Sequence, residues 1–281
     1  MSTPLLHKEL EVATTLAKQA GAIIRKYCRN AVEVDYKDAA GSDPVTQADR
    51  DANELIVGGL QKAFPNDSIL AEESSDSLER QDNNRLWCVD PLDGTREFIE
   101  QNGQFVVMIG LAIDGRSRLG VVYQPTEDIL WWGAEGRAGL SVAGEDPRPL
   151  RVNSVKQSEG ATMVVSRSHR SGDLEEIAAR LSIETLLPLG SVGLKVAQIS
   201  SGSADVYVST TDKTKEWDSC APEAIITAAG GRMTDLLGAP LRYNKTIPNT
   251  PRGMLATSGP LHEAAVLASS PIVEKKGWSL A

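Results

Sequence analysis

Apolar residues recur at helical spacing from the start of the chain. Leu6, Leu10, Ala13, Leu16, Ala17 and Ala20, continuing through Ile24 and Tyr27, fall on one face and predict an amphipathic helix packed on a sheet. Thr3-Pro4 reads as its start, a capping residue followed by proline at the first helical position. The pattern then shortens: Val32–Tyr36 predicts a strand, and Lys37–Pro44 a polar loop. Helical spacing returns over Gln47–Phe64, with Ala52, Leu55, Ile56 and Leu60 on its apolar side, and Pro65-Asn66-Asp67 ends it. Ser68–Ala71 predicts a short strand, Ser75–Asn84 an exposed polar stretch, and Leu86–Val89 a buried strand. Phe105–Ile113, Leu119–Gln124 and Ile129–Gly133 read as an antiparallel meander turning at Gly115, Pro125 and Gly136, with Ala138–Val142 as one more strand.

The second half alternates differently. Strands at Ala161–Ser166, Thr185–Leu189 and Ala204–Ser209 are interleaved with helices at Leu174–Leu181, Gly193–Ser200 and Pro222–Ala229. That order predicts an α/β half with crossover connections. The acidic, proline-containing stretch Glu145–Pro149 is the best place for a boundary, giving an N-terminal α+β subdomain over 1–145 and a C-terminal α/β subdomain over 146–281.

Composition changes this picture little but excludes several functions. The chain has 281 residues, 41% hydrophobic and 24% charged, enough for a large core in one domain or two intimate ones. Its net charge of -9 and the absence of a Lys/Arg run argue against polymeric nucleic acid as a partner. Cys28, Cys88 and Cys220 fit neither a disulfide framework nor a zinc site. No signal peptide and no apolar run of membrane-spanning length are evident, so the expectation is a cytoplasmic enzyme with no membrane partner.

The candidate chemistry starts at Asp90-Pro91-Leu92-Asp93-Gly94-Thr95, directly after the buried strand. Two close carboxylates and the carbonyl between them are the hard oxygen ligands that Mg²⁺ takes. Gly94 permits a sharp turn and close approach of backbone N–H groups to an anion, and Thr95 would open a helix whose N-terminus favours phosphate. Read alone, the hexapeptide is equally an ordinary strand-to-helix turn. Three further acidic sites bear on the choice. Thr46 with Asp49 three residues on resembles a capping box, Glu72-Glu73 ends a short strand, and Asp218 stands where it could cap the following helix. Each has an ordinary structural explanation by itself.

Taken together, they do not. Asp43-Pro44-Val45-Thr46-x-Ala48-Asp49, Glu72-Glu73-Ser74, Asp90–Thr95 and Trp217-Asp218 resemble, in order and spacing, the Mg²⁺-dependent inositol monophosphatase superfamily. The likeness runs from the first helix to beyond residue 240. Gly94-Thr95-Arg96-Glu97-Phe98-Ile99 is similar to the branch of 3′(2′),5′-bisphosphate nucleotidases, as are Ser166–His169 and Gly190–Lys195. The resemblance implies an αβαβα sandwich of alternating helix and sheet layers, of mixed α/β (layered α+β) class. It implies two or three Mg²⁺ ions held by Glu72, Asp90, Asp93, Asp218 and the Leu92 carbonyl. Glu73 and Asp49 would act near by, with Thr95 polarised by Asp49 to orient the attacking water. Substrate would touch Glu72, Leu92, Asp93, Gly94, Thr95 and Asp218, with Ser191 as a further contact, Lys195 as a candidate for a substrate phosphate and His169 for the nucleoside. The implied substrate is a small phosphorylated nucleotide, adenosine 3′,5′-bisphosphate, with its sulfated precursor as a further one, and the enzyme a monomer or homodimer. Relatives often carry an Arg near the position of Ser209; here the nearest basic residues are Lys213 and Lys215. Inositol phosphate or fructose 1,6-bisphosphate therefore stays open as substrate, as does a non-catalytic phosphate or metal sensor on the same fold.

Overall fold

A computed structural model of the chain describes residues 6–28, 34–37, 44–154, 157–167 and 171–279. The predicted first helix is α1 (His7–Tyr27); its proposed Thr3-Pro4 start lies outside the described residues. A short hairpin follows, β1 (Val34–Tyr36) antiparallel to β2 (Pro44–Thr46), which runs straight into α2 (Gln47–Ala63). Next come β3 (Ser68–Ala71), β4 (Arg85–Asp93) and the short α3 (Thr95–Ile99). The meander is β5 (Val106–Ile113), β6 (Arg116–Gln124), β7 (Ile129–Ala134), β8 (Arg137–Val142) and β9 (Arg148–Pro149). Strands β3 to β9 lie side by side in chain order in a seven-stranded sheet, β3 parallel to β4 and the rest antiparallel. This sheet runs past the boundary expected at 145, because Arg148–Pro149 pairs with β8.

The second half contains β10 (Thr162–Ser166), α4 (Gly172–Arg180), β11 (Thr185–Leu189), α5 (Val192–Ser200), β12 (Val206–Ser209), α6 (Glu216–Ala228), β13 (Arg232–Thr234), β14 (Met254–Thr257) and α7 (His262–Lys275). Its sheet has the order β11-β10-β12-β14-β13. The expected parallel crossovers join β10 to β11 and β12, whereas β14 is antiparallel to both its neighbours. The periodicity predicts no element beyond Ala229. Strands β13 and β14 are only three and four residues long, and Ser269, Ser270 and Pro271 break the apolar stripe of α7.

Five layers result. Helices α1 and α2 cover one face of the larger sheet, and the core there is closed by Trp87, Phe98 and Phe105 against small helical residues such as Ala13, Ala17 and Ala52. Helices α5 and α6 fill the space between the two sheets, with Met108, Val122, Leu194 and Ile225 on one side and Val164, Ile199, Tyr207 and Ile226 on the other. Helices α4 and α7 close the outer face of the smaller sheet around Met163, Ile177, Val208 and Ile272. This is the alternating sandwich the sequence implied.

One feature brings the halves close. Gly110, Gly120 and Gly133 are paired neighbours across β5, β6 and β7. A Cβ on Gly120 would lie 2.1 Å from the Ala221 carbonyl oxygen, one on Gly110 2.7 Å from the Ala221 nitrogen, and one on Gly133 2.5 Å from Ile225 Cα. The backbone of α6 thus rests directly on a glycine row, closer than any side chain would allow.

Candidate active site

The hexapeptide Asp90–Thr95 does not begin after the strand: its first four residues belong to β4, and the turn comes at Gly94. β4 continues to Asp93, and its pairing with β5 shifts between Asp90↔Met108 and Asp93↔Val106. Two residues of β4 face one of β5, so an extra residue is inserted there. In a regular strand, residues three apart point to opposite faces. The bulge restores the parity and lets both carboxylates serve the same side. Pro91, with no N–H to give a ladder, is tolerated at such a bulge. Asp90 Oδ1 accepts the Leu92 N–H at 3.0 Å and pins the local geometry. Gly94 then turns the chain with φ 100° as the cap of α3, and a Cβ there would sit 3.0 Å from the Gln104 carbonyl oxygen.

Asp49 performs two tasks with two oxygens. Oδ2 accepts the Thr46 N–H at 2.8 Å and the Thr46 hydroxyl at 2.5 Å, which is the capping arrangement of α2. Oδ1 accepts the Thr95 hydroxyl at 3.2 Å, with the Leu92 carbonyl 3.3 Å from that hydroxyl as a second acceptor. The capping reading and the contact to Thr95 are therefore both present. Burial pushes the Asp49 carboxyl up to about 6, against the Thr46 and Thr95 hydrogen bonds that hold it down.

Glu72 leaves β3 beside β4, its N–H donating to the Val89 carbonyl at 3.0 Å. Its Oε1 lies 2.7 Å from Lys37 Nζ, and the same ammonium lies 2.5 Å from Glu73 Oε1. Lys37 carried no signal in the sequence beyond its place at the end of β1. Burial pushes Glu72 up to about 7; Lys37 pulls it back and the Glu73 and Asp49 charges add to the rise.

The second half supplies the remaining wall. Asp218 is the third residue of α6, which begins at Glu216 and not at Pro222, and its Oδ2 accepts the Lys215 N–H at 2.7 Å. Burial holds Asp90 and Asp218 well above the ordinary carboxylate range, and the charges of Glu72 and Asp93 add to both. Burial also raises Asp93, opposed by hydrogen bonds from Ser191 and Gly193. Lys195 is buried on α5 with its ammonium 5.3 Å from the centre of the Tyr207 ring. Burial lowers it, while Asp93, Glu97 and Asp218 sustain its charge. His169 lies outside the described residues.

The structure thus gathers Asp49, Glu72, Glu73, Asp90, Leu92, Asp93, Gly94, Thr95, Ser191, Lys195 and Asp218, from both halves, into one region. A cavity of about 790 Å³ opens on it, lined by Asp93–Glu97, Ser191, Lys195, Tyr207 and Asp218, with Ser209–Thr214 as one rim. Glu97 was not singled out by residue type, yet it is buried at this cavity and lies 3.6 Å from the Arg167 guanidinium.

The donor set is entirely carboxylate and carbonyl oxygen, the type that hard divalent cations select. So many buried like charges raise one another and call for a cation to share. Among the described residues, no three acidic, His or Cys side chains already close into a cluster that could hold a metal ion. Protein partners engage them instead: Lys37 holds Glu72, Ser191 holds Asp93, and backbone N–H groups hold Asp90 and Asp218. The residues fit a hard cation by chemistry.

Residues 5–273 match the inositol monophosphatase family. The chain belongs to that family. It is 36% identical to the 3′(2′),5′-bisphosphate nucleotidase CysQ of Escherichia coli O157:H7, over 83% of this chain and 93% of that protein. Its fold is similar to that of CysQ from Bacteroides thetaiotaomicron, with a TM-score of 0.75 at 30% identity, covering 89% of this chain and 96% of that one. The inositol monophosphatase of Thermotoga maritima superposes with a TM-score of 0.79 at 26% identity, covering 95% and 98%. As an inositol monophosphatase family member, the chain is a phosphatase, and metal dependence is general to the family. No helix among the described residues is long and apolar enough to cross a membrane.

Proposed function

We propose that this phosphatase is a Mg²⁺-dependent 3′(2′),5′-bisphosphate nucleotidase. It would cleave the 3′-phosphate from adenosine 3′,5′-bisphosphate to leave AMP and phosphate, and act also on the sulfated precursor. The observation that carries the chemistry is the convergence of Glu72, Asp90, Asp93 and Asp218, with Asp90 buried and the other three half-buried, in one region with a hydroxyl, Thr95, that already donates to Asp49. The substrate is carried by the similarity to nucleotidases over nearly their whole length.

Glu72, Asp90, Asp93 and Asp218 would hold Mg²⁺ through their carboxylates and Leu92 through its carbonyl. Two or three such ions supply charge neutralisation at the phosphoryl oxygens and a water acid enough to attack. Thr95 donates its proton to Asp49 Oδ1, which leaves an Oγ lone pair to accept from the attacking water and aim it. Asp49, with its carboxyl at about 6, is mostly ionised at neutral pH and keeps that hydroxyl pointed. Glu73, next to Glu72, acts on water at the same edge. The N–H groups of Gly94 and Thr95 take phosphoryl oxygens, as the left-handed turn at Gly94 allows. Lys195, buried at the cavity wall, meets a substrate phosphate, and His169 the nucleoside. Where relatives carry an Arg, the rim Ser209–Thr214 offers Lys213.

Phosphate release with Mg²⁺ from adenosine 3′,5′-bisphosphate, inositol 1-phosphate and fructose 1,6-bisphosphate, run side by side, tests the reading. The nucleotide is expected to have the highest kcat/KM. A preference for inositol 1-phosphate would instead support the second reading, which the likeness to the Thermotoga maritima enzyme favours.

A further inference from the structure

Ser191 is a conspicuous residue at the junction of the two halves. Its backbone has φ 56° and ψ 134°, a positive φ that non-glycine residues seldom adopt. The residues around it leave the segment no slack. A Cβ on Gly190 would lie 2.2 Å from Glu97 Cγ, and one on Gly193 2.7 Å from Met108 Sδ. The Gly190 N–H donates to Gln104 Oε1 at 2.8 Å. The entry to α5 is therefore pressed against α3, β5 and β6.

The hydroxyl of Ser191 is used at both ends. It accepts the Leu194 N–H at 3.1 Å as the cap of α5, and it donates to Asp93 Oδ2 at 2.6 Å. The same Oδ2 accepts the Gly193 N–H at 2.8 Å. A hydroxyl has one hydrogen to give, and here it goes to Asp93. Two donors on one oxygen lock the carboxylate in one orientation.

We infer that Ser191 is a positioning residue for Asp93 and not a contact to substrate. Through Ser191 and Gly193, α5 of the second half holds the Asp93 carboxylate so that it presents Oδ1 to a cation. The positive φ at Ser191 is the backbone conformation that lets one residue cap α5 and reach Asp93 at once. This rests on the reading of Asp93 as a metal ligand.

Calorimetric titration of the metal-stripped, substrate-free enzyme with Mg²⁺ tests it, using Ser191→Ala and Ser191→Gly. Both lose the hydroxyl, and both are expected to weaken Mg²⁺ binding about 10-fold, the usual effect of losing a hydrogen bond to a ligand. Raising Mg²⁺ should restore kcat, with KM for adenosine 3′,5′-bisphosphate unchanged at saturating metal. Ser191→Gly, at ease with a positive φ, should melt higher than Ser191→Ala, so one variant remains measurable if the other folds poorly. A raised KM with unaltered Mg²⁺ affinity would overturn the inference and make Ser191 a substrate contact; no change in either would also overturn it. Asp93→Asn separates the two claims. If that variant binds Mg²⁺ as the parent does, the metal-ligand reading fails whatever Ser191 does.

Discussion

Asp90 and Asp93 depend on one inserted residue to act together. Remove the bulge and a strand would turn one carboxylate toward α1 and α2. Asp93→Asn is nearly isosteric and keeps acceptor capacity for Ser191, so folding should survive. Turnover with Mg²⁺ should fall more than about 100-fold, since loss of a ligand outweighs loss of its supporting hydrogen bond. Circular dichroism and phosphate release on the same sample check both halves of that expectation. Thr95→Ala removes the hydroxyl that donates to Asp49 and that is proposed to orient the attacking water. We expect kcat to drop about 10²- to 10⁴-fold, the range for a positioned proton-handling group, with Mg²⁺ affinity little changed. An effect confined to Mg²⁺ affinity would argue against the water-orienting role.

His262 is a residue whose chemistry is structural. Thr234 Oγ1 donates to the Asp235 carbonyl at 2.7 Å, so it accepts from Nε2–H at 2.9 Å, and Nδ1 accepts from the Thr257 hydroxyl at 2.9 Å. That assignment of the proton follows from the network. Burial, helped by the Arg232 charge, lowers His262 from 6.5 to about 4. The unfolded chain therefore takes up the proton first, and the stability held above pH 6.5 is lost as pH falls toward 4. The loss is on the order of 2 kcal/mol. Urea melts at pH 7 and pH 4.5 should show it, and His262→Gln should flatten that part of the profile. An unaltered profile in the variant would assign the acid sensitivity elsewhere.

Among the elements, α6 carries the most consequence. The glycine row of β5, β6 and β7 lets its backbone sit on the sheet, which brings Asp218 to the carboxylates of β4. Its start is tied down by Glu216, fully buried, which accepts the N–H groups of Asn244 and Lys245 at 2.7 and 3.0 Å. Gly120→Ala must push α6 outward. Overpacking of this kind costs about 2 kcal/mol, and it should lower both the melting temperature and Mg²⁺ affinity. A fall in stability alone would mean that Asp218 tolerates the shift. None of this was legible in the pattern of apolar residues. A glycine inside a strand marks a close approach without saying of what, and Pro222 hid the true start of α6, which runs six residues further back. Arg80 was hidden in the same way: in a polar stretch expected to be exposed, it is buried, with its guanidinium on Asp76, Asn244 and the Lys245 carbonyl. The long helices α1 and α2 were plain because one apolar face decides each of them, and the meander because apolar runs stand between glycine and proline turns, its strand β5 being buried on both faces.

At the scale of the whole molecule, the cavity exists only because two sheets share the α5–α6 layer. Asp93, Glu97 and the turn at Gly94 come from the first half, while Asp218, Lys195 and the hold on Asp93 come from the second. The acidic motifs were visible in the chain because each sits at the end of a regular element. What drew them together was not visible, since bulge, glycine row and the strained entry to α5 are properties of contact between distant segments. On the proposed function, Glu72, Asp90, Asp93, Asp218 and the Leu92 carbonyl form one metal centre. Crystals soaked in Mn²⁺ as a substitute for Mg²⁺, measured by anomalous diffraction, test this most directly. At least one strong peak is expected within coordinating distance of Asp90 and Asp93, with Lys37 displaced from Glu72. Peaks confined to other sites, with Lys37 still on Glu72 and Glu73, would contradict it.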